Sequence, residues 1–227
     1  LGVIASSATH ILTQHLTGYD ALLIGPGLGQ DHETAAFVES FLCGTTLKPV
    51  GFAAHTPPTK SGSPPTLPQL VIDADALNLL STLDHWPDRV PPGSILTPHP
   101  GEMARLLNTT VADIQENRIE TARAQAAAWN QIIVLKGAYT VVAAPNGQAW
   151  IEPFANPGLA TAGTGDVLAG TIVALCAQGL EPFQAAVTGA YLHGLAGELA
   201  RRSSGEAGMA AGDVLAHLPH AWQALAP

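Results

Sequence analysis

Basic residues are scarce in this 227-residue sequence, and they form no cluster. Nine Lys and Arg residues stand against 18 Asp and Glu residues, which gives a formal net charge of -9. Proteins that bind nucleic acid usually present a basic stripe, so we expect no nucleic-acid partner. A small anionic ligand remains compatible with this charge, because the backbone N–H groups at a helix N-terminus can hold phosphate without many lysines.

Cysteines and long apolar runs are also scarce. The two cysteines, Cys43 and Cys176, show neither metal-ligand spacing nor a disulfide framework, so we expect free thiols in a reducing compartment. No apolar run reaches the ~18–20 residues that a membrane span needs, and the first residues lack the basic segment of a signal peptide. The sequence therefore predicts a cytoplasmic protein without membrane contact.

Short apolar strands alternate with helical segments along the sequence, of which 47% is hydrophobic. This alternation predicts one α/β domain over residues 1–227, with a mainly parallel sheet and helices on both faces. A Pro-rich stretch at 55–68 is expected to be a surface insertion or a mobile lid. The predicted strands cover 21–24, 70–72, 94–96, 132–135, 139–143 and 148–151, and the longer predicted helices cover 31–42, 76–83, 113–129, 166–178, 183–201 and 212–222.

Polar and glycine-rich segments follow the predicted strands. In open α/β sheets, ligands bind outside the carboxyl ends of the strands, so we expect these segments to form one site. They are residues 25–29, 73–78, 97–102, 136–140 and 156–166.

The glycine-rich loop that ends at Asp166 is the strongest of these segments. Gly163 and Gly165 let the backbone fold tightly around a ligand, and the loop opens a helix whose N-terminal N–H groups favour phosphate. A carboxylate in that first turn can accept the proton of a hydroxyl group that attacks phosphorus. The alternative is that Asp166 only caps the helix. The other strand-end motifs favour the catalytic base.

The remaining candidates keep two interpretations each. Residues 25–29 form either a close approach to phosphate or a tight turn, and His99, between two prolines, either binds substrate or braces its loop. Asp73 is a candidate Mg²⁺ ligand, whereas Asp75 is assigned to capping the next helix. Lys136 either reaches a nucleotide phosphate or is solvated surface. We assign Glu102 to a helix start, His193 to the core, and Trp86, Trp129, Trp150 and Trp222 to packing.

Taken together, these motifs resemble the ADP/ATP-dependent NAD(P)H-hydrate dehydratases of the ribokinase-like superfamily. The resemblance runs in order along nearly the whole sequence, and the set is specific although each piece alone is not. It is carried by Ile24–Gly29, Val71–Asn78, Leu96–Glu102, Val134–Gly137, Asn156–Gly158, Ala160–Gly170, Tyr191–Gly194 and Gly208–Asp213.

The resemblance implies a ribokinase-like fold and a dehydratase that repairs the S-form of hydrated NADH or NADPH. A nucleotide, ADP or ATP with Mg²⁺, would phosphorylate the ring hydroxyl, and the phosphate would then be eliminated with help from the ring nitrogen. Asp166 would be the base and would contact the substrate together with Gly27, Gly29 and His99. The nucleotide would bind Lys136, Gly137, Ala138, Tyr139, Thr140 and Gly165, and the anion hole would comprise Asn156, Gly163, Thr164 and Gly165. We expect a homo-oligomer.

The sequence departs from this family at its beginning. Members normally start with a further strand, a Gly-Ser-rich turn and a helix that contribute to the substrate pocket, so we expect either a fragment or a second chain that supplies this unit. Two alternatives stay open. One is a small-molecule kinase of the same superfamily, of the hydroxymethylpyrimidine or hydroxyethylthiazole type. The other is a nucleotide-binding module made inactive by truncation.

Overall fold

A six-stranded sheet forms the centre of the molecule. The computed structural model describes residues 3–44 and 67–225, and its strands lie side by side in the order in which they occur along the chain. The first four pair in parallel, and the last two form an antiparallel ribbon at the edge. The mainly parallel sheet of the prediction is confirmed. The strands are β1 (Ala21–Ile24), β2 (Gln69–Ile72), β3 (Ile95–Leu96), β4 (Ile132–Leu135), β5 (Val141–Ala143) and β6 (Ala149–Ile151).

Helices cover both faces of this sheet, as predicted. The α-helices of the described residues are α1 (Ala8–His15), α2 (His32–Cys43), α3 (Ala74–Leu80), α4 (Pro100–Leu107), α5 (Val111–Glu116), α6 (Arg118–Trp129), α7 (Thr164–Ala177), α8 (Pro182–Ser204) and α9 (Ala211–Gln223). Short 3-10 turns lie at Trp86–Asp88, Pro157–Ala160 and Glu206–Gly208.

The order of the strands explains how the helices divide between the two faces. Connections between parallel strands are right-handed, so successive steps in one direction place their helices on one face. Accordingly, α2 to α6 pack with Ile72, Leu96 and Leu135 in one apolar cluster. The long helices α7 and α8, with α9, cover the opposite face against Val71, Ile95 and residues of β4 and β5.

Two helices differ from the sequence prediction. The helix expected over 113–129 is two helices, because Asn117 has a non-helical backbone (φ -130°, ψ 44°) between α5 and α6. Thr110 begins α5 with a capping box to Asp113, a pattern that the sequence prediction missed. Helix α1 was not predicted either, and it buries none of its residues fully.

Several smaller predictions can also be compared with the structure. Cys43 and Cys176 are both free, as expected. Trp86 and Trp129 pack edge to face in the core, but Trp150 and Trp222 are about half exposed, so the packing role predicted for these two is wrong. The insertion predicted at 55–68 lies, up to residue 66, outside the described residues. Within residues 3–44 and 67–225, no helix is long and apolar enough to span a membrane.

Candidate active site

The N-terminus of α7 lies where the glycine-rich loop meets the sheet. Gly163 precedes the helix in a left-handed conformation (φ 86°), which a side chain would strain. Among the described residues, the N–H groups of Gly165 and Asp166 donate no hydrogen bond. This helix end therefore offers unpaired donors and the positive end of a helix dipole to an anion.

Asp166 is the third residue of α7, and its side chain points into solvent. The carboxylate makes no hydrogen bond or ion pair within the described part of the chain, and it does not cap the helix. The capping alternative therefore does not hold in this structure. An accessible carboxylate beside unpaired N–H groups has the arrangement expected of a base at a phosphoryl-transfer site.

Lys136 follows β4, and its side chain reaches across the carboxyl ends of the parallel strands. Its ammonium lies 2.6 Å from Asp73 Oδ1 and 3.7 Å from Glu102 Oε2, and its side chain is only 16% exposed. A Cβ added at Gly165 would lie 3.4 Å from Lys136 Nζ, so the ammonium sits beside the N-terminus of α7. Lys136 is therefore not solvated surface, and its charge adds to the anion-binding potential of that helix end.

Asp73 is buried and paired with Lys136. Its side chain is 1% exposed, and one carboxylate oxygen is bound by Lys136. The other oxygen is buried without a hydrogen bond, but the described residues contain no group of three or more His, Cys, Asp or Glu side chains able to hold a metal. Asp73 therefore fits a role in orienting Lys136, and its role as a Mg²⁺ ligand stays a prediction, since Mg²⁺ needs only one or two carboxylates when a nucleotide supplies phosphate oxygens.

His99 begins α4 and braces its own loop. Its Nδ1 accepts hydrogen bonds from the N–H groups of Gly101 (2.9 Å) and Glu102 (3.2 Å), and Glu102 accepts one from the His99 N–H (2.7 Å). Burial lowers the pKa of His99, and the nearby Glu102 carboxylate opposes that shift. The predicted helix start at Glu102 is confirmed. Half of the imidazole remains exposed, so substrate contact through Nε2 stays a prediction.

The Gly25–Gly29 turn is held against the end of β2. A Cβ at Gly25 would lie 1.7 Å from the Asp73 carbonyl oxygen, so only glycine allows this approach. The N–H of Gly29 donates to Asp75 Oδ2 (2.9 Å), which replaces the helix-capping role predicted for Asp75. Gly27 and Gly29 both have positive φ, and like Lys136 they lie at the carboxyl ends of the parallel strands. Their contact with substrate stays a prediction.

A cavity of about 360 Å³ opens between the ends of β4 to β6 and helices α7 and α8. Most of the predicted nucleotide-binding residues line it, namely Lys136, Gly137, Ala138, Thr140 and Gly165. Tyr139 does not line it. Its backbone is left-handed (φ 54°) and its side chain is 56% exposed. The predicted nucleotide-binding stretch 136–140 therefore lines the cavity at every position except Tyr139.

Two residues assigned to the anion hole brace the loop instead. Asn156 accepts from the Gly158 N–H (2.9 Å) and donates to the Gly197 carbonyl (3.0 Å). The Thr164 hydroxyl donates to loop carbonyls, and the Thr164 N–H is bonded to the Thr161 carbonyl. Neither side chain is free to hold phosphate, so the available donors are the N–H groups at the start of α7.

His193 supports the same loop from α8. Its Nε2 lies 2.9 Å from the Thr164 carbonyl oxygen, and the ring is buried. Burial lowers its pKa to about 4, so the ring is neutral at pH 7 and donates to that carbonyl. The structure therefore confirms His193 as a satisfied core histidine, although one side of it reaches the cavity wall.

The sequence analysis missed three residues around this site. Arg118, at the start of α6, donates to the carbonyls of Leu135 and Lys136 and thereby holds the end of β4. Phe154 and Glu152 line the cavity from the segment after β6. Glu152 directly follows β6, whose three residues are all exposed, so no pattern in the sequence indicated a buried position there.

Comparison with known proteins decides the family. A family model described as NAD(P)H-hydrate dehydratase matches residues 3–220. This chain belongs to the NAD(P)H-hydrate dehydratase family. The chain is 45% identical over 225 residues to the bifunctional NAD(P)H-hydrate repair enzyme of Moorella thermoacetica, covering 96% of this chain and 37% of that protein. It is 41% identical over 199 residues to the ADP-dependent (S)-NAD(P)H-hydrate dehydratase of Neisseria meningitidis, covering 86% of this chain and 60% of that protein.

Solved structures agree with this dehydratase fold. The ADP/ATP-dependent NAD(P)H-hydrate dehydratase of Bacillus subtilis, co-crystallised with ATP and Mg²⁺, superimposes with a TM-score of 0.72 at 33% identity, over 91% of this chain and 65% of that one. A hydroxyethylthiazole kinase from Pyrococcus horikoshii shares the fold at 16% identity with a TM-score of 0.66. The chain spans 37% and 60% of the lengths of the two curated relatives, so their activities are transferred to it only as a proposal.

Proposed function

We propose that this chain dehydrates the S-form of hydrated NADH or NADPH in a reaction that consumes ADP or ATP with Mg²⁺. Membership of the NAD(P)H-hydrate dehydratase family supports this substrate class. The single structural observation that carries the proposal is the N-terminus of α7. There the unpaired Asp166 carboxylate and two unpaired N–H groups stand in the first turn of α7, and the Lys136 ammonium lies beside Gly165 of the same turn.

The chemistry follows from those groups. Asp166 accepts the proton of the substrate ring hydroxyl as its oxygen attacks the terminal phosphorus of the nucleotide, and the bond from that phosphorus to the leaving oxygen breaks. The α7 N–H groups and Lys136 stabilise the negative charge on the transferred group. The ring nitrogen then supplies an electron pair that expels phosphate, and loss of a ring proton restores the reduced nicotinamide. Mg²⁺ would neutralise nucleotide phosphate charge, as it commonly does.

The test is a turnover assay with the complete chain. Hydrated NADH, Mg²⁺ and either ADP or ATP are mixed with protein, and we expect release of inorganic phosphate together with the absorbance of the reduced nicotinamide. Asp166→Asn should lower this rate by at least about 100-fold, the usual contribution of a general base, while nucleotide binding stays within a few-fold. Glu181→Gln, which changes another exposed carboxylate without a hydrogen bond at the start of a helix, is the matched control and should keep full activity.

Other outcomes separate the alternatives. A stable phosphorylated product without reduced nicotinamide would assign the chain to the small-molecule kinases. Nucleotide binding without turnover would make it an inactive binding module. Full activity of Asp166→Asn would remove the catalytic base from the proposal.

We also propose that the chain acts as a cytoplasmic homo-oligomer. The sheet-edge strand β6 supports self-association, because Trp150 and Ile151 expose 47% and 46% of their surface there. Apolar side chains on a strand whose outer edge is unpaired favour contact with another chain. Free cysteines agree with a reducing compartment.

A further inference from the structure

A buried carboxyl group lies in the cavity without a partner. Glu152 is 2% exposed, lines the cavity, and neither of its carboxylate oxygens makes a hydrogen bond. Burying a polar group without a hydrogen bond is costly, and such exceptions in a folded protein usually have a cause. A ligand that donates hydrogen bonds to Glu152 would supply that cause.

The strand register places Glu152 in line with Lys136. Val134 pairs with Val142, and both face α7 and α8, so by alternation Lys136 and Thr140 share that face. Glu152 continues the row, because its N–H donates to the Thr140 carbonyl (2.9 Å). Neighbouring strands are about 4.8 Å apart, so the backbone of Glu152 lies roughly 10 Å from that of Lys136. The cavity therefore has a phosphate end at Lys136 and a second end at Glu152.

The surroundings of the second end are apolar. Phe154, Leu159, Leu168 and Ala190 contribute to its walls. The Phe154 ring packs closely on α8, because a Cβ at Gly194 would come within 2.2 Å of it, and it contacts Tyr191 with ring centroids 5.2 Å apart. Apolar walls suit an aromatic base better than a hydrated sugar, whose hydroxyl groups need several polar partners.

We propose that Glu152 recognises the amino edge of the adenine base of the bound nucleotide. The carboxyl oxygen accepts a hydrogen bond from the exocyclic 6-amino group, and in its protonated form the carboxyl also donates to the adjacent ring nitrogen. This inference rests on the proposed nucleotide-dependent function and adds the residue that selects the base. Lys136 and the start of α7 hold the phosphates at the other end.

The protonation of Glu152 agrees with this role. Burial raises its pKa to about 7, and the neighbouring Trp150 side chain partly opposes this shift. The other charged or titratable side chains lining the cavity are Lys136 from β4 and His193 from α8, with Tyr191 of α8 packed behind Phe154. The pKa of His193 is lowered to about 4, so His193 does not titrate between pH 6 and 8.

The experiment compares two nucleotides that differ only at the recognised group. Dissociation constants are measured for ADP and for the diphosphate of purine riboside, which has hydrogen in place of the 6-amino group. The proteins are the wild type, Glu152→Leu, Glu152→Gln and the control Glu181→Leu, which alters an exposed carboxylate without a hydrogen bond at the start of α8.

We expect the wild type and the control to prefer ADP by about tenfold or more, because a hydrogen bond to a buried ionisable group is lost with the analogue. Glu152→Leu should bind both diphosphates equally. Glu152→Gln keeps a donor and an acceptor, so it should keep the preference. Wild-type affinity for ADP should fall several-fold between pH 6 and 8, whereas that of Glu152→Gln should not change.

Each contrary result has one meaning. If Glu152→Leu binds ADP and still prefers it as strongly as the wild type does, Glu152 does not read the base, although the nucleotide site stands. If the wild type binds ADP but does not discriminate between the two diphosphates, the inference also fails. If the wild type binds neither diphosphate and shows no turnover, the proposed function itself fails.

Discussion

The unpaired carboxyl of Glu152 has an energetic consequence that is independent of any ligand. Its pKa is raised from the usual 4.5 to about 7, so the folded state holds a proton that the unfolded chain releases between these pH values. Folding stability therefore falls as the pH rises through this window, and above it the contribution of Glu152 no longer changes with pH. A buried carboxylate without hydrogen bonds is the physical reason.

Glu152→Gln should remove this loss of folding stability at high pH. We expect the free energy of unfolding of the variant, relative to wild type, to increase by about 1–2 kcal/mol between pH 4.5 and pH 8. Urea denaturation followed by circular dichroism at several pH values measures it. Glu181→Gln, at an exposed position, is the control and should follow the wild-type curve. If the difference in the free energy of unfolding between Glu152→Gln and wild type does not change with pH, the pKa of Glu152 in the folded protein is not raised.

At the same scale, some site residues could be predicted from the sequence and others could not. Asp166 and Lys136 stand directly after a glycine-rich loop and a buried strand, and parallel strands bring such positions together. The bracing role of Asn156 depends on the Gly197 carbonyl, which is 41 residues away along the chain and whose position only the folded chain fixes. Hydrogen-bond partners distant in sequence therefore limited the prediction.

At the scale of elements, the connection from β1 to α2 depends on the close approach at Gly25. A side chain there would overlap the Asp73 carbonyl, and the positive φ of 132° would strain any other residue. Gly25→Ala should therefore destabilise the protein by more than about 3 kcal/mol, since both the backbone strain and the displacement of the β2 end contribute.

Gly18→Ala is the matched comparison for this change. Gly18 also has positive φ (94°), but nothing lies within 4 Å of a Cβ added there. It should cost only the backbone strain, about 1–2 kcal/mol. Thermal unfolding of both variants measures the difference, and equal destabilisation would show that the turn can move away from β2.

Elements were predictable where their pattern is local. The apolar strands β1 and β4 were predicted with the bounds that the structure shows, because strands covered on both faces are continuously hydrophobic. The boundary between α5 and α6 was missed, because both helices carry the same mixture of alanines and charged residues and only Asn117 separates them. Helix α1 was also missed; it is eight residues long and buries none of them fully.

At the scale of the whole molecule, we expect self-association through the β6 edge. Multi-angle light scattering after size-exclusion chromatography should give a mass that is a multiple of the 23.3 kDa chain. Trp150→Ser combined with Ile151→Ser should shift the mass toward one chain, because the apolar area that favours association is removed.

Leu215→Ser is the control for this prediction. Leu215 is 58% exposed on α9, so its replacement removes a comparable apolar side chain from another surface. The oligomer should persist in that variant. A wild-type mass of one chain would contradict the proposed homo-oligomer, and an oligomer that survives the double replacement in β6 would place the interface elsewhere.

The order of the strands also bears on how the molecule is made. Each strand from β2 onward pairs with one that the ribosome has already released, so the sheet can grow from its first edge without waiting for later strands. Helix α7, in contrast, is synthesised after all six strands and packs back against β1 and β2. A nascent chain therefore acquires its sheet gradually but its anion-binding helix end late, and it cannot bind a nucleotide in this cavity before residue 166 has emerged.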